Sequence, residues 1–345
     1  MLSEFIIGLI CIVFAFASNF YLTKAWIRVC KFSGYMVKDA NKYDKPLVPL
    51  SGGVAFIMSF MASTTLYLFF KVFYLGTETN LVFLLALMLT SAMAGFVGFL
   101  DDFVIKKNTE SIGLKKWQKP LLTLIFALPL AAVNSGVSTV MIPYIGPIHF
   151  GILYPLILVP LTIMFTANSF NILAGFNGLE GGMATIILST MGLISYLNGN
   201  LWLSMVCFIA VGSLLAYLIF NWFPARIFPG DSFTYTVGAL IGAIAILGNM
   251  ETIVAILFIP YLLDFALLLK YWYHGATGFR KVPVMAFGVP DKNNVLHLPH
   301  QVIYDTCHLA ILIIGKFKKV RETDVVLFIL GFEMILALVC LMLFV

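Results

Sequence analysis

Residues 201–220 read Leu-Trp-Leu-Ser-Met-Val-Cys-Phe-Ile-Ala-Val-Gly-Ser-Leu-Leu-Ala-Tyr-Leu-Ile-Phe, without one charged side chain. An α-helix rises about 1.5 Å per residue, so such a run reaches about 30 Å, the thickness of a bilayer's hydrocarbon core. A surface helix of a soluble protein would show a polar face, and this run shows none. It reads as a membrane span. Nine more candidates lie near 4–23, 51–75, 81–100, 119–134, 151–168, 182–197, 235–248, 251–272 and 323–344. The expected class is an all-α polytopic membrane protein with about ten transmembrane helices. No repeat or linker divides it, so residues 1–345 are expected to form a single domain.

Composition agrees with that reading. Apolar residues make up 61% of the chain and charged residues 11%. Soluble domains carry about a quarter charged residues. A soluble enzyme, a nucleic-acid-binding module and a disordered chain are therefore excluded. The five cysteines are scattered, with neither disulfide nor metal spacing, and are read as inert. The first apolar run lacks a basic leader and a small-residue cleavage site, so it is read as a retained span.

The charges orient the spans. Of 21 Lys and Arg residues, all but Lys71 fall on one side if ten spans alternate. Six lie in 24–50: Lys24, Arg28, Lys31, Lys38, Lys42 and Lys45. Five lie in 101–119: Lys106, Lys107, Lys115, Lys116 and Lys119. Arg226 and Lys270 follow, and seven more lie in 273–322: Arg280, Lys281, Lys292, Lys316, Lys318, Lys319 and Arg321. The positive-inside bias puts these loops in the cytoplasm and both termini outside. The outer connection 135–150 carries the pattern of a small β-hairpin.

Polar chemistry gathers on the inner side. Asp101 and Asp102 are adjacent where the third span ends. On a helix they point about 100° apart, so they cannot make the same contact. A divalent cation or a cationic group would explain such a pair at a membrane boundary; a solvated helix end is the alternative. Asp231 follows Pro-Gly at the start of the eighth span, a position that also suits helix capping. Residues 168–182 read Asn-Ser-Phe-Asn-Ile-Leu-Ala-Gly-Phe-Asn-Gly-Leu-Glu-Gly-Gly. Asn168 and Asn171 share a helix face, and amide oxygens can ligate Mg²⁺ or read a base edge. The glycines allow a ligand to approach the backbone. Acids, amides, glycines and lysines together point to metal-dependent phosphate chemistry on a substrate held in the bilayer.

These residues carry a resemblance. The chain resembles the polyprenyl-phosphate N-acetylhexosamine-1-phosphate transferases, ten-span enzymes that include the bacterial phospho-MurNAc-pentapeptide translocase. It looks most like the branch that uses UDP-GlcNAc and dolichyl phosphate. The stretch Asn-Ile-Leu-Ala-Gly-Phe-Asn-Gly-Leu-Glu is similar to that branch's signature. Gly-Phe-Leu-Asp-Asp and Phe-Pro-Gly-Asp-Ser-Phe match two further motifs in the expected order. The resemblance implies transfer of GlcNAc-1-phosphate from UDP-GlcNAc to a polyprenyl or dolichyl phosphate, with release of UMP.

By motif position it implies Asn171 and Asp231 as Mg²⁺ ligands, with Mn²⁺ an alternative. Asp101 and Asp102 are the implied essential pair, and Lys119 the implied phosphate-contacting lysine. Asp39, Asn41 and Lys42, with Asn168, Gly175, Asn177 and Phe228, are implied at the nucleotide. Expected partners are a UDP-sugar and the lipid phosphate, with no nucleic acid and a homodimer left open. The expected location is a cell membrane of archaeal type with the site facing the cytoplasm, or the endoplasmic reticulum in a eukaryote.

Two departures stand out. In place of an Arg-His or His-rich motif in the last inner loop, the chain has Leu-His-Leu-Pro-His-Gln, so His297 or His300 is expected near the sugar and diphosphate. The carboxylate that some relatives carry before the first-loop Ser-Gly-Gly is replaced by Leu50. Asp264, a lone acid in the ninth span, faces either the lipid-phosphate groove or a structural partner. A membrane carrier for a nucleotide sugar or lipid intermediate is the alternative from another class.

Overall fold

The computed structural model describes residues 2–107, 118–142, 146–277 and 287–345. The chain is mostly helical. Its helices are α1 (Leu2–Ser33), α2 (Gly53–Phe69), α3 (Leu81–Lys107), α4 (Gln118–Phe126), α5 (Leu128–Ala132), α6 (Val159–Ile172), α7 (Leu179–Leu197), α8 (Leu201–Asn221), α9 (Gly230–Gly248), α10 (Glu251–Leu257), α11 (Ile259–Thr277), α12 (Thr306–Gly315) and α13 (Glu322–Phe344). Among the described residues, seven helices are long and apolar enough to cross a membrane, or eight if the bent pair α10–α11 is one span.

Several of the ten expected spans depart from a plain α-helix. The span 51–75 ends in a π-helical turn at Phe70–Tyr74, and 151–168 opens with one at Tyr154–Leu158 that runs into α6. The stretch 119–134 divides into α4 and α5, because Pro129 in the first turn of α5 has no N–H to continue the α4 ladder. The stretch 251–272 bends by 61° just before Pro260. α7 covers 182–197, but Glu180, its glycines and its hydroxyl side chains leave it short of the apolar character of the others. α12 is a short apolar helix inside what reads from sequence as one inner loop.

α9 organises the bundle. It is buried along nearly its whole length and flanked by α3 and α6. A helix that is apolar all round belongs in such an interior. Small residues let the backbones close: a Cβ on Gly98 of α3 would stand 2.5 Å from the Asp231 carbonyl carbon. α8 lies between α1 and α7, and α13 lies on α7.

Among the described residues, three two-stranded antiparallel pairs decorate the helices. β1 (Met36–Lys38) pairs with β2 (Leu47–Pro49), with Val37 opposite Val48. The hairpin expected in 135–150 is present as β3 (Thr139–Ile142) and β4 (Gly146–His149). β5 (Val289–Pro290) pairs with β6 (Leu296–His297).

Candidate active site

Four helix ends meet at one end of the bundle. α3 brings Asp101 and Asp102, α4 brings Lys119, α6 brings Asn171 and α9 brings Asp231. The divergence of the adjacent acids appears in their partners. Asp101 Oδ2 lies 2.5 Å from Lys119 Nζ, which also lies 2.7 Å from Asp231 Oδ2. Asp102 instead accepts from the Asp231 N–H at 2.7 Å, the Ser232 N–H at 3.2 Å and the Ser51 hydroxyl at 2.7 Å. Asp102 thus caps α9 from a different helix, satisfying N–H groups that have no partner within α9. The Tyr35 hydroxyl stands 3.0 Å from Ser51 Oγ. Ser51 spends its proton on Asp102, so the Tyr35 hydroxyl donates to Ser51.

Asn171 completes the cluster. Its amide nitrogen donates to Asp231 Oδ1 at 2.9 Å and to the Thr234 hydroxyl at 2.7 Å. Gly230 holds the loop before Asp231 at φ +71°, and a Cβ there would come 2.8 Å from Asp102 Oδ1. Only glycine accepts both the left-handed backbone and that approach.

Asp231 also faces a cavity of about 360 Å³, within the usual range for small-ligand sites. Of the residues expected at the nucleotide, Asp39, Asn41, Gly175, Asn177 and Phe228 line it, as does Asn171. Asp101, Asp102 and Lys119 do not line it; they stand behind its wall and reach it through Asp231.

Side chains from distant loops hold the wall in place. Asn41 Nδ2 donates to the Gly175 carbonyl at 2.6 Å, and the Gly175 N–H donates to Glu180 Oε1 at 2.8 Å. Asn221 accepts from the Gly178 N–H at 3.1 Å and donates to the Ile227 carbonyl at 2.9 Å. Lys42 is buried between Asp39, 3.2 Å away, and Glu322. Glu322 Oε1 also accepts the Asn177 N–H at 2.7 Å. The Asn177 amide suits its surroundings when its oxygen faces Lys42 Nζ at 3.1 Å and the Ala225 N–H at 3.3 Å.

Several expected residues lie elsewhere. Lys42 is committed to its ion pairs and does not line the cavity. Asn168 spends its amide nitrogen on the Thr123 hydroxyl at 3.0 Å and the Met164 carbonyl at 2.7 Å, which ties α6 to α4 rather than to a ligand. His297 is exposed, 3.5 Å from Asp291. His300 lies between the Tyr304 and His308 rings, with centroids 5.5 and 5.3 Å away. Neither histidine lines the cavity. Asp264 accepts the Thr306 N–H at 2.7 Å, the structural alternative of its two readings. Lys115, Lys116, Arg280 and Lys281 fall outside the described residues, as do the side chains of Lys106 and Lys107.

Sequence reasoning gave no role to Glu180, Glu322, Asn221 or Phe287. Glu180, Asn221 and Phe287 line the cavity, and the Phe287 ring packs against Gly175, which has φ +120°. Glu180 carried a signal, since it ends the Asn-Gly-Leu-Glu stretch. Glu322 carried none beyond being an acid after a basic run.

The donor set around Asp231 is oxygen-based. Among the described residues no three His, Cys, Asp or Glu side chains form a metal cage. Mg²⁺ does not need one, because it is commonly held by one or two carboxylates together with waters and substrate phosphates. The carboxylate of Asp231 and the amide oxygen of Asn171, whose nitrogen is already committed, fit that pattern.

Fold and site together define a polytopic membrane protein with a polar, acid-lined cavity at one end of its helix bundle. The profile of glycosyl transferase family 4 matches residues 84–249. A protein of Saccharolobus solfataricus, provisionally named UDP-N-acetylglucosamine–dolichyl-phosphate N-acetylglucosaminephosphotransferase, is 36% identical over 330 residues, covering 94% of this chain and 92% of that protein. A Sulfolobus acidocaldarius protein of the same provisional name is 32% identical over 336 residues, covering 96% and 94%. The phospho-N-acetylmuramoyl-pentapeptide-transferase of Clostridium perfringens is 35% identical over 178 residues, covering 49% and 54%. The chain belongs to glycosyl transferase family 4.

Proposed function

We propose that this protein transfers GlcNAc-1-phosphate from UDP-GlcNAc to a polyprenyl or dolichyl phosphate, the first step of lipid-linked glycan assembly. The observation that carries the reading is the position of Asp231, which faces the cavity while contacting Lys119 and Asn171. Likeness to the two archaeal proteins over nearly the whole chain supports it.

In this reaction an oxygen of the lipid phosphate attacks the sugar-linked phosphorus of UDP-GlcNAc. The bond from that phosphorus to the bridging oxygen breaks, and UMP leaves. The lipid phosphate is largely ionised near neutral pH, so no side chain is required to remove its proton. Charge spreads over the phosphoryl oxygens in the transition state. Lys119, ion-paired to Asp231 behind the cavity wall, would add positive charge beside the diphosphate, and Asp101 holds it in position. Asp231 and Asn171 would hold Mg²⁺, which when bound neutralises the diphosphate. Asp102 fixes the backbone from which Asp231 projects. Asp39, Asn41, Asn177 and Phe228 form the nucleotide wall.

The Lys and Arg distribution supports ten crossings, a cytoplasmic site and both termini outside. The expected location is the cell membrane of an archaeon. Gathering of the site residues at one end of the bundle favours a transferase over a carrier, which needs a site reachable from both faces. The test is incubation of purified protein with a panel of UDP-sugars, Mg²⁺ and a short polyprenyl phosphate. Mass spectrometry should find polyprenyl-diphosphate-GlcNAc with UMP in equal amounts. Exclusive use of another sugar, or no lipid product, overturns the reading.

A further inference from the structure

A second groove, also of about 360 Å³, lies on the other side of the β1–β2 pair from the candidate active site. Val37 and Lys38 line the site cavity, and their cross-strand partners Val48 and Leu47 line the groove. Four cationic residues line it as well: Lys24, Arg28 and Lys31 of α1, and Arg226 beyond α8. All four are exposed. No acid lines the groove, and none of the four pairs with a carboxylate among the described residues.

The spacing is that of a built face. Lys24, Arg28 and Lys31 stand at i, i+4 and i+7, so they share one side of α1. Arg226 is held toward them, its guanidinium donating to the Ile219 carbonyl at 2.6 Å and lying 4.7 Å from the Phe220 ring centre. Between the cations the floor is apolar, made of Ile27, Val48, Pro49 and Phe220. Like charges gathered without a counterion repel one another, and an anion with an apolar body would satisfy both the charges and the floor.

Depth identifies the source of that anion. The apolar part of α1 runs from Glu4 to Lys24, which at about 1.5 Å per residue is about 30 Å, one hydrocarbon thickness. Lys24, Arg28 and Lys31 therefore emerge at headgroup level, in the leaflet on the side of the candidate site. Basic clusters just beyond a span attract anionic lipids. We propose that this groove binds the phosphate of an anionic membrane phospholipid, whose acyl chains run down α1 past the exposed Tyr21. The inference does not depend on the transferase reading, and its test reads lipid binding rather than turnover.

The test uses the full chain purified in neutral detergent. It is titrated with phosphatidylglycerol or phosphatidylcholine, and retained lipid is counted by native mass spectrometry. Phosphatidylglycerol should be retained in preference to phosphatidylcholine. Each removed charge should weaken retention about fivefold, so Arg28→Gln with Lys31→Gln should weaken it about twenty-fivefold. Arg226→Gln alone should act in the same direction. Arg28→Lys with Lys31→Arg should keep binding, and Lys292→Gln, an exposed charge elsewhere, should not change it. Equal retention of the two lipids, or a neutralised variant that binds as well as the wild type, overturns the proposal. Competition by millimolar inorganic phosphate as effective as that by added lipid would assign the groove to a soluble anion and overturn it equally.

Discussion

The carboxylate of Asp102 closes the first turn of α9 around Asp231, accepting that residue's own N–H at 2.7 Å. The two acids therefore do different work: one shapes the helix end and the other projects from it into the cavity. Asp102→Ala leaves two N–H groups and the Ser51 hydroxyl without their acceptor, which costs roughly 1–3 kcal/mol. Thermal unfolding of that variant should shift down by several degrees. Asp231→Ala should leave the melting temperature nearly unchanged and lower product formation by at least about 10²-fold. A fully active Asp231→Ala enzyme would refute the role given to that carboxylate.

Gly230 offers a backbone test of the same corner. Its φ of +71° is strained for any residue with a Cβ, and the added carbon meets Asp102. Gly230→Ala should cost about 1–2 kcal/mol from the backbone alone. It should also reduce transfer, because α9 must move away from α3. Unaltered stability would show that the turn relaxes without effort.

The buried pair Lys42–Glu322 should behave as a unit. Removing Lys42 leaves the buried carboxylates of Asp39 and Glu322 without their cation, at a cost of roughly 3–5 kcal/mol, whereas removing Glu322 costs less because Lys42 keeps Asp39. Lys42→Met and Glu322→Gln should each lower the denaturation midpoint, and the double variant should lose less than the sum. Strict additivity in that cycle would mean that the pair does not interact.

Divalent-metal dependence is the expected outcome if Asp231 and Asn171 hold Mg²⁺ as proposed. Chelation should stop transfer, and added Mg²⁺ should restore it, with Mn²⁺ as a substitute. Asn171→Ala should raise the Mg²⁺ concentration needed for half-maximal rate about tenfold or more, with little effect at saturation. Transfer in full at a large excess of chelator would remove the metal from the mechanism.

A pH effect should come from His300. Burial holds its imidazole below the ordinary value of 6.5. The unfolded chain then takes up the proton more readily than the folded one, so stability rises with pH through this window. The contribution is present above about pH 6.5 and is lost as pH falls below it. His300→Phe should flatten the stability profile between about pH 7 and pH 5 without abolishing transfer. An unchanged profile in the variant would refute this.

What was legible in the sequence had local causes. A run such as 201–220 declares its helix because bilayer thickness fixes how many apolar residues are needed. Asp101, Asp102, Asn171 and Asp231 stood out because charges and amides are costly at the ends of such helices. The division of 119–134 was also written locally, in Pro129, although the apolar count hid it. What could not be read was long-range. Lys42 meets Glu322 across 280 positions, and nothing near either residue names the other. Asn168 and Asn171 look alike in sequence, and only the neighbours Thr123 and Asp231 decide which ties helices and which faces the cavity.

The Glu322 contacts have a consequence for biosynthesis. Asn177 and Lys42 emerge from the ribosome long before the acid at the head of α13 that fixes them. The early helices can enter the membrane in order, yet this wall of the cavity stays unfastened until α13 inserts. A nascent chain halted before that point would carry every motif acid and still hold no finished cavity.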